Sequence, residues 1–311
     1  RGTSNTTGIH IANTYNYNVA AGSILSTEGT STSTISTDSG INFNTSNYTA
    51  SGGGTVVFIG NATNGTGITL NTGTLNVSGS TTVNITGNST AGIGVRNSAF
   101  TLDTQGGNVT VTGVGANVGW KAEGALAANI ATGNKITITG NSTGSDIGAN
   151  ILSTVTQTGA GNLILVGTTA TGTTGMNVGA VVTTASDANL STINGNLLLN
   201  ANILSSGGNA TLAAGTSSGV AATSIANGNV TGGDLIKGTA TSITAGTSKT
   251  VILYSGNANT SNLSSLVTNG GTSQKKAYAT AAYNGGVNAS KALNVFYRVT
   301  PLISVAANNK I

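Results

Sequence analysis

Residues 55–63 read Thr-Val-Val-Phe-Ile-Gly-Asn-Ala-Thr, residues 82–90 Thr-Val-Asn-Ile-Thr-Gly-Asn-Ser-Thr and residues 135–143 Lys-Ile-Thr-Ile-Thr-Gly-Asn-Ser-Thr. The aliphatic residue that opens this segment returns about every 27 residues, at Val56, Val83, Val109, Ile136 and Leu163. Self-similarity at a fixed spacing of about 20 to 50 residues marks an array in which each unit buries its apolar edge only by stacking on the next. The sequence therefore predicts a coiled stack rather than a globule.

Outward from these segments, three short strands can be followed in each repeat. In the first, alternation with period two puts residues 83/85, 109/111, 136/138 and 163/165 on one side, which should face inward. The second follows a Gly or polar turn: Gly8-Ile9-His10-Ile11, Gly40-Ile41-Asn42-Phe43, Gly67-Ile68-Thr69-Leu70, Gly92-Ile93-Gly94-Val95, Val118-Gly119-Trp120, Ile147-Gly148-Ala149 and Met176-Asn177-Val178. A third, weaker series holds Leu75/Val77, Phe100/Leu102, Leu126 and then Leu152 or Val181. Three strands per coil of about 27 residues describe an all-β, single-stranded parallel β-helix, a β-solenoid. Roughly ten coils across residues 1–255 would make a rod about 50 Å long.

Composition agrees. Gly (47 residues), Thr, Ser and Asn dominate, charged residues are 6% and aromatics 4%, yet 37% of residues are apolar and sit in short alternating runs. That pattern separates the chain from a disordered Gly-rich one. Thr, Val and Ile suit a pleated, half-buried surface, and long helix-forming runs are missing. With no Cys there is neither a disulfide nor a thiolate metal site. No apolar stretch approaches the roughly 18 residues that span a bilayer. Both ends read as cuts from a longer polypeptide. Gly60-Asn61, Gly87-Asn88 and Gly140-Asn141 are expected at one bend of their coils, where stacked amides can hydrogen-bond along the axis. After Gly195 the spacing drifts, so the organisation expected is a shaft over 1–255, irregular C-terminal coils or a cap over 256–300, and the start of a linker or small β-domain over 301–311.

Gly-Gly-Asn-Val-Thr-Val-Thr-Gly (106–113), Asn-Gly-Asn-Leu-Leu-Leu-Asn-Ala (194–201) and Gly-Gly-Asn-Ala-Thr-Leu-Ala-Ala-Gly (207–215) resemble the β-helical shafts of filamentous haemagglutinin-like exoproteins. These are large adhesins that Gram-negative bacteria export by two-partner secretion. The closing segments Val251-Ile252-Leu253-Tyr254-Ser255-Gly256 and Phe296-Tyr297-Arg298-Val299-Thr300-Pro301 look like the stretch where such shafts give way to small β-domains. The resemblance covers most of the chain and implies an extracellular location at the bacterial surface and an outer-membrane secretion partner. The family's N-terminal secretion domain, with its Asn-Pro turns, has no counterpart here, since the only Pro is Pro301.

Catalysis on a β-helix needs clustered carboxylates. Asp103, Glu123 and Asp146 recur about one coil apart but follow different strand phases, and His10 stands without partners for a triad. No calcium-binding nonapeptide or phosphate-binding loop occurs, so no cofactor, metal or nucleotide is expected. Trp120 should line up with Val95 and Ala149, and Phe100 with Leu75, all in the core. Tyr15, Tyr17 and Tyr48 are the aromatics expected to be exposed. Arg96 and Lys121 form an outward basic pair on successive coils.

Residues 1–234 carry a net −3 and residues 235–311 a net +7. Lys275, Lys276, Lys291 and Arg298, together with Arg96 and Lys121, are therefore the candidates for binding glycans or other anions; nucleic acid is not expected. Outward Thr110/Thr112 and Thr137/Thr139 resemble the array of ice-binding β-helices until Ile164/Val166 interrupts it. The function expected is a non-catalytic adhesive or structural shaft whose partners are host-cell or matrix glycans or neighbouring fibres. A self-assembling filament, sheath or biofilm-matrix subunit is the alternative, ahead of a polysaccharide-processing enzyme or an ice-binding protein.

Overall fold

A computed structural model describes residues 1–215, 233–240, 242–257, 263, 267–268, 274–278 and 293–299. The fold is an all-β solenoid in which three parallel sheets, of 12, 9 and 10 strands, run along the stack. Successive turns are spaced near 27 residues through most of the stack, and each turn gives one strand to each sheet.

In the first sheet the quoted segments become eight-residue strands, Thr55–Ala62, Thr82–Ser89, Asn108–Gly115, Lys135–Ser142 and Asn162–Thr169. They pair without slippage, so Val56, Val83, Val109, Ile136 and Leu163 form one column and Phe58, Ile85, Val111, Ile138 and Leu165 the next. No member of either column is more than 2% exposed. Each such side chain gains roughly 1.5 to 3 kcal/mol from burial before its ordering entropy is subtracted, and it gains it only against the rungs above and below.

The second sheet stacks Ile41, Ile68, Val95, Trp120, Ala149 and Met176. Trp120 is 1% exposed and lies where alternation puts it. Val95, not Ile93, is the partner of Ile68; Ile93 pairs with Thr66. In the third sheet Leu75 faces Leu102, while Phe100 pairs with Gly73 rather than Leu75, a shift of two residues that keeps Phe100 in the core at 1% exposure. The continuation from Leu126 runs through Val155, Val182 and Ile203. Leu152 and Val181 are instead corner residues, 49% and 41% exposed. The corners entering this sheet differ in length from rung to rung, so counting from the second sheet misplaces its register.

The expected bend at Gly60-Asn61 is also corrected. These residues continue their strand, and the chain turns after them, at 63–65. Gly60, Gly87, Gly113, Gly140 and Gly167 stack in the first sheet against Gly67, Gly94, Gly119, Gly148 and Gly175 of the second. A Cβ on the former would lie 2.0 to 2.2 Å from the carbonyl oxygen of the latter. Two backbones therefore touch over these five rungs, which only glycine permits, and the column ends where Thr192 takes the place beside Gly167. The following residues of the motif divide the remaining work. The Asn88 amide donates to Asn61 Oδ1 at 3.0 Å on the outside. Ser89 Oγ donates to the Gly65 carbonyl at 2.8 Å and accepts from the Gly92 N–H at 2.9 Å, tying the corner from within. Thr169 does the same with the Asp146 carbonyl and the Gly172 N–H.

Beyond these turns the spacing changes. The Asn177–Asn200 amide bond spans 23 residues and the Thr250–Asn209 bond 41, yet Ala210 to Ala213 still pair in register with Val251 to Tyr254. At the end of the first sheet, Leu293–Val299 sits between Val251–Asn257 and Gln274–Tyr278, out of chain order.

Candidate functional site

Arg96 and Lys121 occupy adjacent outward positions of the second sheet. The register there links Asn42, Thr69, Arg96, Lys121, Asn150 and Asn177 in one polar column along the rod. Glu123, two residues beyond Lys121 and so on the same face, ties the pair: its carboxylate lies 2.5 Å from Lys121 Nζ and 3.8 Å from Arg96 Nη1. Glu123 thereby offsets one of the two charges, and Arg96 Nε is buried without a hydrogen-bond partner. At the column's far end the Asn177 amide donates to Asn150 Oδ1 and the Asn200 amide to Asn177 Oδ1, both at 2.9 Å. This second amide ladder was not foreseen, because an outward Asn at coil spacing is hard to tell from the background in so Asn-rich a chain.

The basic residues do not converge on one site. Lys275 and Lys276 lie in Gln274–Tyr278 and Arg298 in Leu293–Val299, adjacent strands at the end of the first sheet. Arg96 and Lys121 belong to the second sheet, several rungs away, and Lys291 lies outside the described residues.

The acids are dispersed too. Asp103 lies in the third sheet between Asn76 and Asn129 and accepts from Gln105 Nε2 at 3.2 Å. Glu123 follows a second-sheet strand, and Asp146 sits in a corner between the first and second sheets. Among the described residues no group of three His, Cys, Asp or Glu side chains comes together. His10 is exposed in the strand Ile9–Ile11.

The aromatics correct one expectation. Tyr48 is fully buried and donates its hydroxyl proton to the Ile11 carbonyl at 2.8 Å. It packs edge-on to Phe43 at 5.1 Å and stacks with Phe100 at 6.2 Å. Tyr17 lies edge-on to Phe58 at 5.5 Å, and burial, followed by the neighbouring Tyr48 and Tyr15 phenols, pushes its pKa up to about 12. Tyr15 alone, 42% exposed on the terminal strand of its sheet, is open as expected. Register puts Tyr15 and Tyr48 in the Leu75 column.

The third sheet also hides Gln157 at a core position, 1% exposed. Its amide donates to the Thr158 and Gly159 carbonyls and accepts from the Ala185 N–H at 2.8 Å. Above it a shallow groove of about 460 Å³, lined by Asn162, Ser186, Asp187 and five glycine or alanine residues, crosses three rungs. The outer face of the first sheet is flat by contrast. Its two central columns carry Val57/Ile59, Asn84/Thr86, Thr110/Thr112, Thr137/Thr139 and Ile164/Val166 on successive rungs. Most of these side chains are half-buried by their neighbours, and Val166 is 8% exposed.

Comparison with known protein families, with curated proteins and with solved structures finds no match for this chain.

Proposed function

We propose that this chain is a section of a secreted bacterial surface fibre of the filamentous haemagglutinin-like kind, a non-catalytic shaft that holds an adhesive region away from the cell. The observation that supports this reading best is the pair of unbroken core columns of the first sheet, from Val56 and Phe58 to Leu163 and Leu165. Each rung is stabilised by its neighbours, so length adds without a new core having to be invented, and the outward faces are free to vary. The resemblance of the repeats to exported adhesin shafts, and the basic balance of residues 235–311, point the same way. Host-cell or matrix glycans are the partners, with an outer-membrane protein as the route of export.

Purified protein should bind epithelial cells or sulfated glycans saturably and lose that binding at raised salt, because exposed charges are screened. Substituting Lys275 and Lys276 by Ala should weaken it more than substituting Arg96, whose charge is shared with Glu123. Absence of saturable binding at low salt would remove the adhesive role. The nearly uncharged outer face of the first sheet from Thr55–Ala62 to Asn162–Thr169 favours a second reading, a subunit that assembles with its own kind; electron micrographs of fibres grown from purified protein, without cell binding, would select it.

A further inference from the structure

The geometry points to the outer face of the first sheet, from Thr55–Ala62 to Asn162–Thr169, as a lateral interface with a second copy of this chain, the two rods lying antiparallel. Five strands about 4.8 Å apart, each of eight residues at about 3.3 Å, present roughly 600 Å² per copy. The pair would bury about 1,200 Å², above the roughly 1,000 Å² expected of a specific contact.

The pattern on the face is self-complementary. Of these five rungs the first and last are apolar, Val57 with Ile59 and Ile164 with Val166, the three between carry hydroxyls and an amide, and the rungs that flank the five carry Ser26 with Glu28 and Asn189 with Ser191. A two-fold axis in the interface, parallel to the central strand Asn108–Gly115, sets Val57 against the second copy's Ile164 and Ile59 against its Val166. Thr110 and Thr112 then meet their own counterparts. Apolar rungs cover apolar rungs and hydroxyls meet hydroxyls, in the isologous arrangement of two-fold dimers.

Charge is sparse within these five rungs, and Glu28 on the flanking rung, paired with Arg1, falls opposite the second copy's Ser191. Across the outward positions of these five strands the one ionisable residue is Lys135, and it lies in a marginal column beside Asn108 and Asn162, where it stays in water. Apart from Val114 the marginal columns are polar, as at the rims of protein interfaces. The pairing does not rest on the adhesive reading, since cell binding and mass are separate readouts.

The chain has no cysteine, so single cysteines can report the contact. Light scattering across the micromolar range should show the mass doubling with concentration, and Thr110→Asp, which brings two carboxylates together on the axis, should hold the protein monomeric with an unchanged circular dichroism spectrum. Thr110→Cys should cross-link to itself, whereas Ala127→Cys, outward on the third sheet, should not. A wild type that stays monomeric, a dimer indifferent to Thr110→Asp, or equal cross-linking of the two cysteines would overturn the interface. So would a monomer that uses this face to bind ice or a glycan.

Discussion

A methyl group on Gly113 would stand 2.0 Å from the carbonyl oxygen of Gly119, and both residues belong to backbone hydrogen-bonded into a sheet. Neither side can move alone without breaking rungs. Gly113→Ala should therefore cost about 3 kcal/mol or more. Gly133, in an open turn with φ +83° and nothing within 4 Å of an added Cβ, should lose only about 1 kcal/mol on the same change, from its left-handed backbone. Urea midpoints of the two variants check the contrast. Tyr17 supplies a second prediction. Its folded pKa is raised above the ordinary phenol value to about 12, so the folded state favours the neutral phenol. That contribution is complete below pH 10 and is lost as pH rises through the interval to about 12. The urea midpoint should fall over that interval, and Tyr17→Phe should flatten the fall.

At the level of the strand, the core assignment is tested by Val111→Asp, which would bury an unpaired carboxylate between two rungs and should cost about 3–5 kcal/mol. Thr112→Asp, one residue along and facing outward, should change the urea midpoint of the monomer little, read at low protein concentration. The first two sheets were largely legible in the sequence because alternation and coil spacing report the same columns independently: Val111 is inward on both counts, and so is Trp120. The third sheet was less so. Leu152 is as apolar as Val155, and only corner geometry decides which of them enters the core. Gln157 defies the hydrophobic pattern because its amide is satisfied by carbonyls and N–H groups of neighbouring corners, which no pattern of apolar residues records. The seam glycines were visible as a repeat, but their cause, a backbone-to-backbone approach between strands of different sheets, is a distance and not a composition. The site fared worse: Arg96 and Lys121 are neighbours as expected, but neither the partnership of Glu123 nor the burial of Tyr48 follows from spacing alone.

Over the whole rod, stability is a sum of nearest-neighbour terms and should be highest mid-stack. The strand Ile24–Ser31 is paired on its outer side only through Gly29 to Ser31, and Ile24 and Leu25 are 73% and 39% exposed. Hydrogen exchange should accordingly be slowest in Asn108–Gly115 and faster toward Ile24; uniform protection along the first sheet would contradict additive stacking. The seam and the corners also differ in what they allow. Between Gly113 and Gly119 the chain has no slack, whereas the turn closed by the Asn134 N–H and the Ala131 carbonyl is exposed on three residues. The coil from Asn209 to Thr250 spans 41 residues and still leaves Ala210 to Ala213 in register with Val251 to Tyr254. A foreign peptide spliced at 132–133 should therefore be carried as cargo on an undisturbed scaffold, and the same graft at other corners would arrange several such epitopes along one edge like teeth on a comb.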